Sequence, residues 1–221
     1  MNLYESLNSL FSRNNDEKKT AKRLESIQKL QRNQQLLTTV VLGISGCGIN
    51  ILNYMLEREP RLRSLIIDRC GEENTHILSS NIVLVNETIE KSETERIKSL
   101  LVNALQVYIV VGLGGITGSE LLPDVCRIVH ETGTKTKLIA TMPFTFEGRN
   151  RYERAGKALY KVSEEGLCDT LLFFHNDRLI DYTPKKTPMN EAFILLNEKI
   201  EKYIFEGEVD DIFADEEIII D

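Results

Sequence analysis

Short runs of aliphatic and β-branched residues alternate with amphipathic stretches from residue 38 onwards. Several of these runs contain a continuous apolar stretch, which is typical of strands that helices cover on both faces of a sheet. Helices fit between most of the runs. The alternation predicts an α/β fold with a doubly wound, mainly parallel sheet. Its predicted strands are 38–44, 63–68, 81–85, 107–111, 136–142 and 169–175.

The two ends of the chain have different patterns. Residues 1–37 are polar and charged, and their apolar positions predict two helices in an arm that either packs on its own domain or docks a protein partner. The positions are Leu3, Leu7, Leu10 and Phe11 for the first helix, and Leu24, Ile27 and Leu30 for the second. Residues 206–221 contain eight acids and no base, which favours a solvated acidic tail. The predicted division is a helical arm at 1–37, a domain at 38–205 and a tail at 206–221.

Composition narrows the class of protein. The chain has 221 residues, with 42% apolar and 28% charged residues, and its longest apolar runs are too short to span a bilayer. A net charge of -7 opposes non-specific binding to nucleic acid or anionic lipid. The four cysteines form no C-x-x-C pair, the three histidines share no ligand spacing with them, and the N-terminus lacks the features of a signal peptide. We therefore expect a cytoplasmic protein without a structural metal.

Two glycine-bearing segments, 43–48 and 112–118, each follow a predicted strand and lead into a predicted helix. The free amides and the dipole at a helix N-terminus favour an anion such as a phosphate. Glycine also serves any turn that needs a positive φ, so one such loop fits a simple strand-to-helix turn equally well. The rest of the chain has to decide between the two.

The first loop, "VLGISGCGINILNYM", is neither a Walker A sequence nor a G-x-G-x-x-G fingerprint. It resembles the first nucleotide loop of the FtsZ/tubulin family. The matching positions are Gly43, Gly46, Gly48, Asn50, Asn53 and Met55. Ser45, Cys47 and Ile49 stand where bacterial FtsZ usually has glycine. The resemblance implies that Gly46, Cys47, Gly48 and Asn50 contact a nucleotide, and a helix N-cap is the alternative role for Asn50.

The second loop, "GLGGITGSELLPDV", is similar to the signature loop of the same family, which wraps phosphates with backbone amides and a Thr hydroxyl. The matching positions are Gly112, Gly114, Gly115, Thr117, Gly118 and Pro123, with Ser119 as a conservative change. Ile116 and Glu120 replace glycines. We expect a side chain at Ile116 to hinder close approach and the carboxylate of Glu120 to compete with phosphate, which weakens phosphate binding.

Three further segments carry the resemblance to residue 205. The segment "PFTFEGRNR" is nearly identical to the FtsZ segment that supplies an acid to the ribose and an arginine toward the nucleotide, which are Glu147 and Arg151 here. "CDTLLFFHNDRLI" places Asn176 where the family reads the guanine edge. "MNEAFILLNEKIEKYI" resembles the core helix, with Phe193 to stack on the base and Asn197 to contact guanine. The alternative roles are a turn cap with a surface ion pair for Asn176, Glu147 and Arg151, and a core aromatic for Phe193.

Departures from the family pattern bear on activity. The FtsZ loop that senses the γ-phosphate has no counterpart in "NETIEKSETERI", and FtsZ has a second domain beyond the core helix. The resemblance therefore implies a divergent, shortened member with a Rossmann-like nucleotide-binding domain. "VDDIFADEE" offers Asp210, Asp211 and Asp215 as a remnant of the family's catalytic loop, although it lacks the Asn and a solvated tail fits better.

The resemblance implies binding of GTP or GDP together with Mg²⁺. It also implies slow or partner-dependent GTP hydrolysis and a role in cell division or a cytoskeletal assembly. Self-association or a protein partner of the arm would follow. The alternative is a non-hydrolytic protein-interaction module on the inherited fold. A dehydrogenase fits the strand and helix alternation but not the motifs, and no catalytic residue can be named.

Overall fold

A computed structural model describes residues 3–71, 77–207 and 214–219, with side chains for 19–71 and 77–207. The chain divides into two compact units, Met1–Leu37 and Thr38–Asp221. None of the helices described there is long and apolar enough to cross a membrane.

The first unit is helical. Helix α1 runs without interruption over Leu3–Thr38, so the prediction of two separate helices was wrong. The physical reason is that residues 1–42 contain neither proline nor glycine, the two residues that disfavour a helix interior most strongly. Leu24, Ile27 and Leu30 are exposed on this helix.

The second unit is built on a seven-stranded sheet with the order β3-β2-β1-β4-β5-β6-β7. Its strands are β1 Thr39–Ile44, β2 Arg63–Arg69, β3 Ile82–Val85, β4 Gln106–Gly112, β5 Lys135–Met142, β6 Thr170–His175 and β7 Ala214–Ile219. Its helices are α2 Ser45–Arg58, α3 Lys91–Leu100, α4 Ile116–His130, α5 Arg149–Glu164, α6 Asn176–Tyr182 and α7 Met189–Glu206, with a 3-10 turn at Thr145–Glu147. Strands β1 to β6 are parallel, which confirms the six predicted strands and the mainly parallel, doubly wound sheet.

The sheet is covered on both faces. All six residues of β1 are buried, as its unbroken apolar pattern predicts. Side chains of α3, α4 and α5 share one buried cluster with Leu42 and Ile109, while α2 packs against β1, β4 and α7. This three-layer arrangement leaves the carboxyl edge of the sheet, where the loops emerge, as the place for a ligand.

Part of the acidic segment forms the last strand, which the sequence analysis did not predict. Strand β7 pairs antiparallel with β6, with Ile218 opposite Leu171 and Asp215 opposite Phe173. The isoleucines at the end of the segment suit a strand, and pairing satisfies backbone groups of β6 that would otherwise be at the sheet edge. Asp215 thus lies in a strand, whereas Asp210 and Asp211 fall outside the described residues.

Candidate functional site

The two glycine loops lie side by side at the carboxyl edge of the sheet. Strands β1 and β4 are neighbours, and Ile44 pairs with Val111 near their ends. From this pair the chain goes to β2 on one side and to β5 on the other, which makes it the topological switch point where such sheets bind ligands. Helices α2 and α4 begin directly after the loops. Their N-cap residues, Ile44 and Gly115, have no polar side chain, so the first amides of both helices face the edge without a side-chain cap.

Glycines allow the loops to approach each other closely. A Cβ added to Gly48 would lie 2.5 Å from the carbonyl oxygen of Val110, and one added to Gly118 would lie 2.7 Å from that of Gly112. A Cβ on Gly112 would lie 2.4 Å from the Cβ of Cys47. Since backbone atoms cannot move aside as a flexible side chain can, these glycines are required by packing within the protein.

Cys47 faces the second loop. Its sulfur lies 3.5 Å from Oγ1 of Thr141, and burial raises the pKa of the Cys47 thiol. The thiol therefore stays protonated near neutral pH, and it is not poised as a nucleophile.

Ser45 adopts a left-handed backbone conformation, with φ of 58°, at the turn from β1 into α2. This conformation costs a residue with a side chain about 1 kcal/mol or more. A glycine, which the resemblance to FtsZ implies at this position, would adopt this dihedral angle without strain. The hydroxyl of Ser45 lies 3.4 Å from where a Cβ on Gly118 would be, so it stands between the two loops.

The second loop is closed by its own hydrogen bonds. Gly114, with φ of 89°, donates its backbone N–H to Oγ of Ser119 over 3.0 Å, and its carbonyl oxygen accepts from Nη1 of Arg154 over 2.7 Å. Gly114 and Ser119 therefore shape the loop. Thr117 and Gly118 are also buried, whereas a Cβ on Gly115 would meet nothing within 4 Å. Gly115 is thus a position of the loop with open space beside its backbone.

The carboxylate of Glu120 is paired. Its Oε2 lies 2.6 Å from Nη2 of Arg69, which offsets the charge that the sequence analysis expected to compete with phosphate. Ile116 is exposed, with 54% of its surface accessible, so its side chain stays out of the core of the loop.

Glu147 and Arg151 form the turn cap and the ion pair that were considered as their alternative role. Oε1 of Glu147 accepts the backbone N–H of Phe144 over 2.9 Å, and Oε2 pairs with Nη1 of Arg151. The pair lies next to the second loop, because the Cβ of Arg151 is 3.3 Å from where a Cβ on Gly114 would be. The arginine side chain is half-exposed.

Asn176 opens helix α6 at the end of β6 and is only 9% exposed. Its Oδ1 is buried and has no hydrogen-bond partner among the residues that the structure describes. The neighbouring Asp177 accepts the backbone N–H of Thr145 over 3.0 Å, which ties α6 to the turn that carries Glu147. Asn176 therefore lies beside that turn, with its buried side-chain acceptor unused.

Aromatic rings lie at the same end of the site. Phe193 on α7 is half-buried and meets the ring of Phe144 edge to face at 6.1 Å, and Phe144 stacks on Phe146 at 4.8 Å. Asn197 is one helical turn further along α7 and half-buried.

Asn50 lies on the first two turns of α2 and is exposed. The N-cap of that helix is Ile44, so the alternative role of Asn50 as an N-cap was wrong.

Sequence reasoning missed three residues that shape the site: Arg69, Arg154 and Asp177. The signal for Arg69 was available, since a charged residue at the carboxyl end of a buried parallel strand faces the ligand edge. The described residues contain no group of three or more His, Cys, Asp or Glu placed to hold a metal.

The fold is that of a doubly wound α/β protein. Its candidate ligand site lies between the two glycine loops at the carboxyl edge of the sheet. The family model for the Tubulin/FtsZ family, GTPase domain, matches residues 61–184, and the chain belongs to that family.

Solved structures of the family share the fold. A mutant of FtsZ from M. jannaschii matches with a TM-score of 0.64 and 23% identity, over 84% of this chain and 59% of that chain. TubZ of Clostridium botulinum phage c-st matches with 0.62 and 11%, over 77% and 61%. TubZ from Bacillus thuringiensis serovar israelensis, in GDP-form protofilaments, matches with 0.59 and 13%, over 79% and 56%. The chain thus spans about three fifths of the length of these structures.

Proposed function

We propose that the protein binds a guanine nucleotide at the carboxyl edge of β1, β4, β5 and β6. The observation that carries this proposal is the buried, unused Oδ1 of Asn176. A buried polar atom without a partner costs about 1–3 kcal/mol, so such an atom at a ligand edge calls for a donor from the ligand. Guanine offers N–H donors on its edge, and an Asn amide matches them with its oxygen.

The remaining residues fit the other parts of a nucleotide. At the base, the ring of Phe193 supplies a stacking face and Asn197 a second amide. At the sugar, Glu147 supplies carboxylate acceptors once its pair with Arg151 opens, and the released guanidinium then faces phosphate. At the phosphates, the helix starts of α2 and α4 supply amides and positive dipole ends. The residues assigned to the phosphate end are Gly46, Cys47, Gly48, Asn50, Gly114, Gly115, Thr117, Gly118 and Ser119. Mg²⁺ accompanies the nucleotide.

Hydrolysis of GTP is proposed to be weak or to depend on a partner. Fast phosphoryl transfer needs a positioned water and charge stabilisation around the γ-phosphate. The connection after β3 is short and acidic, with Asn86, Glu87 and Glu90 before α3 begins. It supplies neither a glycine-rich cradle nor a cation. We place the protein in the cytoplasm, in cell division or a cytoskeletal assembly, by analogy with its family.

The test is calorimetric titration of the nucleotide-free protein with GTP, GDP and ATP in Mg²⁺ buffer. We expect micromolar or tighter binding of both guanine nucleotides and much weaker binding of ATP. Asn176→Ala should weaken guanine binding by about 10- to 100-fold, because a buried hydrogen bond to the base is lost. Asn190→Ala, which removes an exposed amide from the start of α7, is the control and should bind as the parent does.

Loss of guanine selectivity in the control, or unchanged selectivity in Asn176→Ala, would contradict the assigned role of Asn176. Absence of binding by the folded parent to all three nucleotides would refute the proposal as a whole.

The second candidate function is a non-hydrolytic protein-interaction module. One observation favours it: groups expected to contact the nucleotide are already paired within the protein, namely the amide of Gly114 with Ser119, and Glu147 with Arg151. Sedimentation with GTP and Mg²⁺ separates the two functions. Pelleting that depends on nucleotide supports assembly by a guanine-nucleotide-binding protein. If the protein neither binds nucleotide nor pellets, the result supports the non-hydrolytic interaction module.

A further inference from the structure

Arg69, the last residue of β2, joins three parts of the ligand edge. Its Nη2 donates to Oε2 of Glu120 over 2.6 Å and to the carbonyl oxygen of Glu87 over 3.4 Å. Glu120 belongs to the N-terminal part of α4, and Glu87 to the connection after β3. Arg69 therefore links the helix of the second glycine loop to the segment that stands where the family's γ-phosphate sensor is expected.

The guanidinium of Arg69 is only partly satisfied. Its Nε is buried and lacks a hydrogen-bond partner within the described part of the chain. A guanidinium has five N–H donors in a fixed planar fork, and a buried N–H on a cation is costly to leave unpaired. A phosphate oxygen is the acceptor that this fork fits best, because two parallel bonds form at once.

The sheet order places Arg69 at the phosphate end of the site. In the order β2-β1-β4-β5-β6, Asn176 follows β6 and the glycine loops follow β4 and β1. A nucleotide whose base lies at Asn176 and whose phosphates lie over those loops has its terminal phosphate nearest to β2. Ile67 pairs with Ile44, so Arg69 lies two residues beyond the last residue of β1, beside the turn that begins α2.

The pair with Glu120 is suited to exchange. The side chain of Glu120 is 53% exposed, so it can turn into solvent, whereas that of Arg69 is 23% exposed and stays at the edge. An ion pair with such an exposed partner is weak. A terminal phosphate carries more charge than one carboxylate and can replace it.

We propose that Arg69 recognises the terminal phosphate of a nucleoside triphosphate and that Glu120 holds the guanidinium in place in its absence. This inference rests on the proposed guanine-nucleotide binding. Arg69 thereby distinguishes a triphosphate from a diphosphate in a chain whose post-β3 connection carries no cation.

The experiment is titration of the full chain with GDP and with a non-hydrolysable GTP analogue. Arg69→Gln should weaken binding of the analogue by about tenfold or more, and change GDP binding less than twofold, because the lost bonds are to the terminal phosphate. Arg69→Lys keeps the charge without the fork and should lie between Arg69→Gln and the parent. Glu120→Gln should strengthen analogue binding several-fold. The control is Arg127→Gln, which removes an arginine paired with Asp124 and Glu165 elsewhere on α4.

Equal loss of GDP and analogue in Arg69→Gln, or no loss of either, would overturn the assignment. If Arg69→Gln does not fold, Arg69→Lys and Glu120→Gln decide the question by the ratio of the affinity for the analogue to the affinity for GDP. GDP binding by the parent is the internal reference. A parent that binds neither nucleotide overturns the proposed function and this inference together. A parent that binds GDP, with variants whose ratio of analogue affinity to GDP affinity equals that of the parent, overturns this inference alone.

Discussion

Ser45 is a residue at which this chain departs from the glycine that the resemblance to FtsZ implies. It occupies a left-handed conformation, with φ of 58°, which a glycine adopts without strain. The same turn brings β1 into α2 and sets the first amides of that helix toward the ligand edge. Strain at such a position is typical of functional turns, where the surrounding packing holds the backbone in place.

Ser45→Gly should relieve this strain. We expect the free energy of unfolding to rise by up to about 1 kcal/mol, since the gain from the relaxed φ exceeds the added entropy of an unfolded glycine. Chemical denaturation measures the change. Ser99→Gly, at an exposed position in the last turn of α3 without a positive φ, is the matched control and should not raise stability. A destabilised Ser45→Gly would show that the hydroxyl contributes more than the strain costs.

At the scale of elements, the close contact of the two strand-loop-helix units depends on glycine. Gly48 lies in the first turn of α2, and a Cβ there would approach the carbonyl oxygen of Val110 in β4 to 2.5 Å. The helix cannot shift without moving off the sheet and off α7, against which it packs.

Gly48→Ala should therefore lower the free energy of unfolding by about 1–3 kcal/mol, as overpacking of a rigid contact does. Gly156→Ala, at an exposed position of α5 with nothing within 4 Å of the added Cβ, should raise it by about 0.5–1 kcal/mol. Both changes are measured by denaturant unfolding of the full chain. If the two variants behave alike, helix propensity and not the approach of α2 to β4 controls the effect at Gly48.

At the scale of the whole molecule, the chain divides into the two compact units Met1–Leu37 and Thr38–Asp221. All residues assigned to the nucleotide, from Gly46 to Asn197, belong to the second unit. The proposed nucleotide binding therefore does not depend on any residue of the first unit.

Deletion of residues 1–37 should leave the affinity for GDP within twofold of that of the full chain, because no assigned residue is removed. Calorimetric titration of both proteins measures the affinities, and circular dichroism shows whether the shorter chain is folded. A folded variant with much weaker GDP binding would contradict the separation. An unfolded variant would mean that the arm is part of the stable domain.

The sequence alone predicted more of the sheet than of the site. The strands β1 to β6 were found because most of their residues are aliphatic, aromatic or β-branched, as is typical of strands that helices cover on both faces. The antiparallel strand β7 was missed, because an acidic composition suggested a tail, while its pairing with β6 joins residues that are distant in the chain, such as Leu171 and Ile218. The ion pair of Arg69 with Glu120 also joins residues far apart in the chain, and no local pattern indicates it.

The sequence by itself determined the order of strands β1 to β6 and the two loops that need glycine, because periodicity and turn chemistry are local properties, while the resemblance to the FtsZ/tubulin family supplied the candidate nucleotide-binding residues. Only the tertiary structure decided which groups are available to a ligand. It closed the amide of Gly114 on Ser119, paired Glu147 with Arg151 and left Oδ1 of Asn176 unused. The physical reason is that hydrogen-bond satisfaction depends on which groups are neighbours in space, and the packing of helices and strands sets those neighbours.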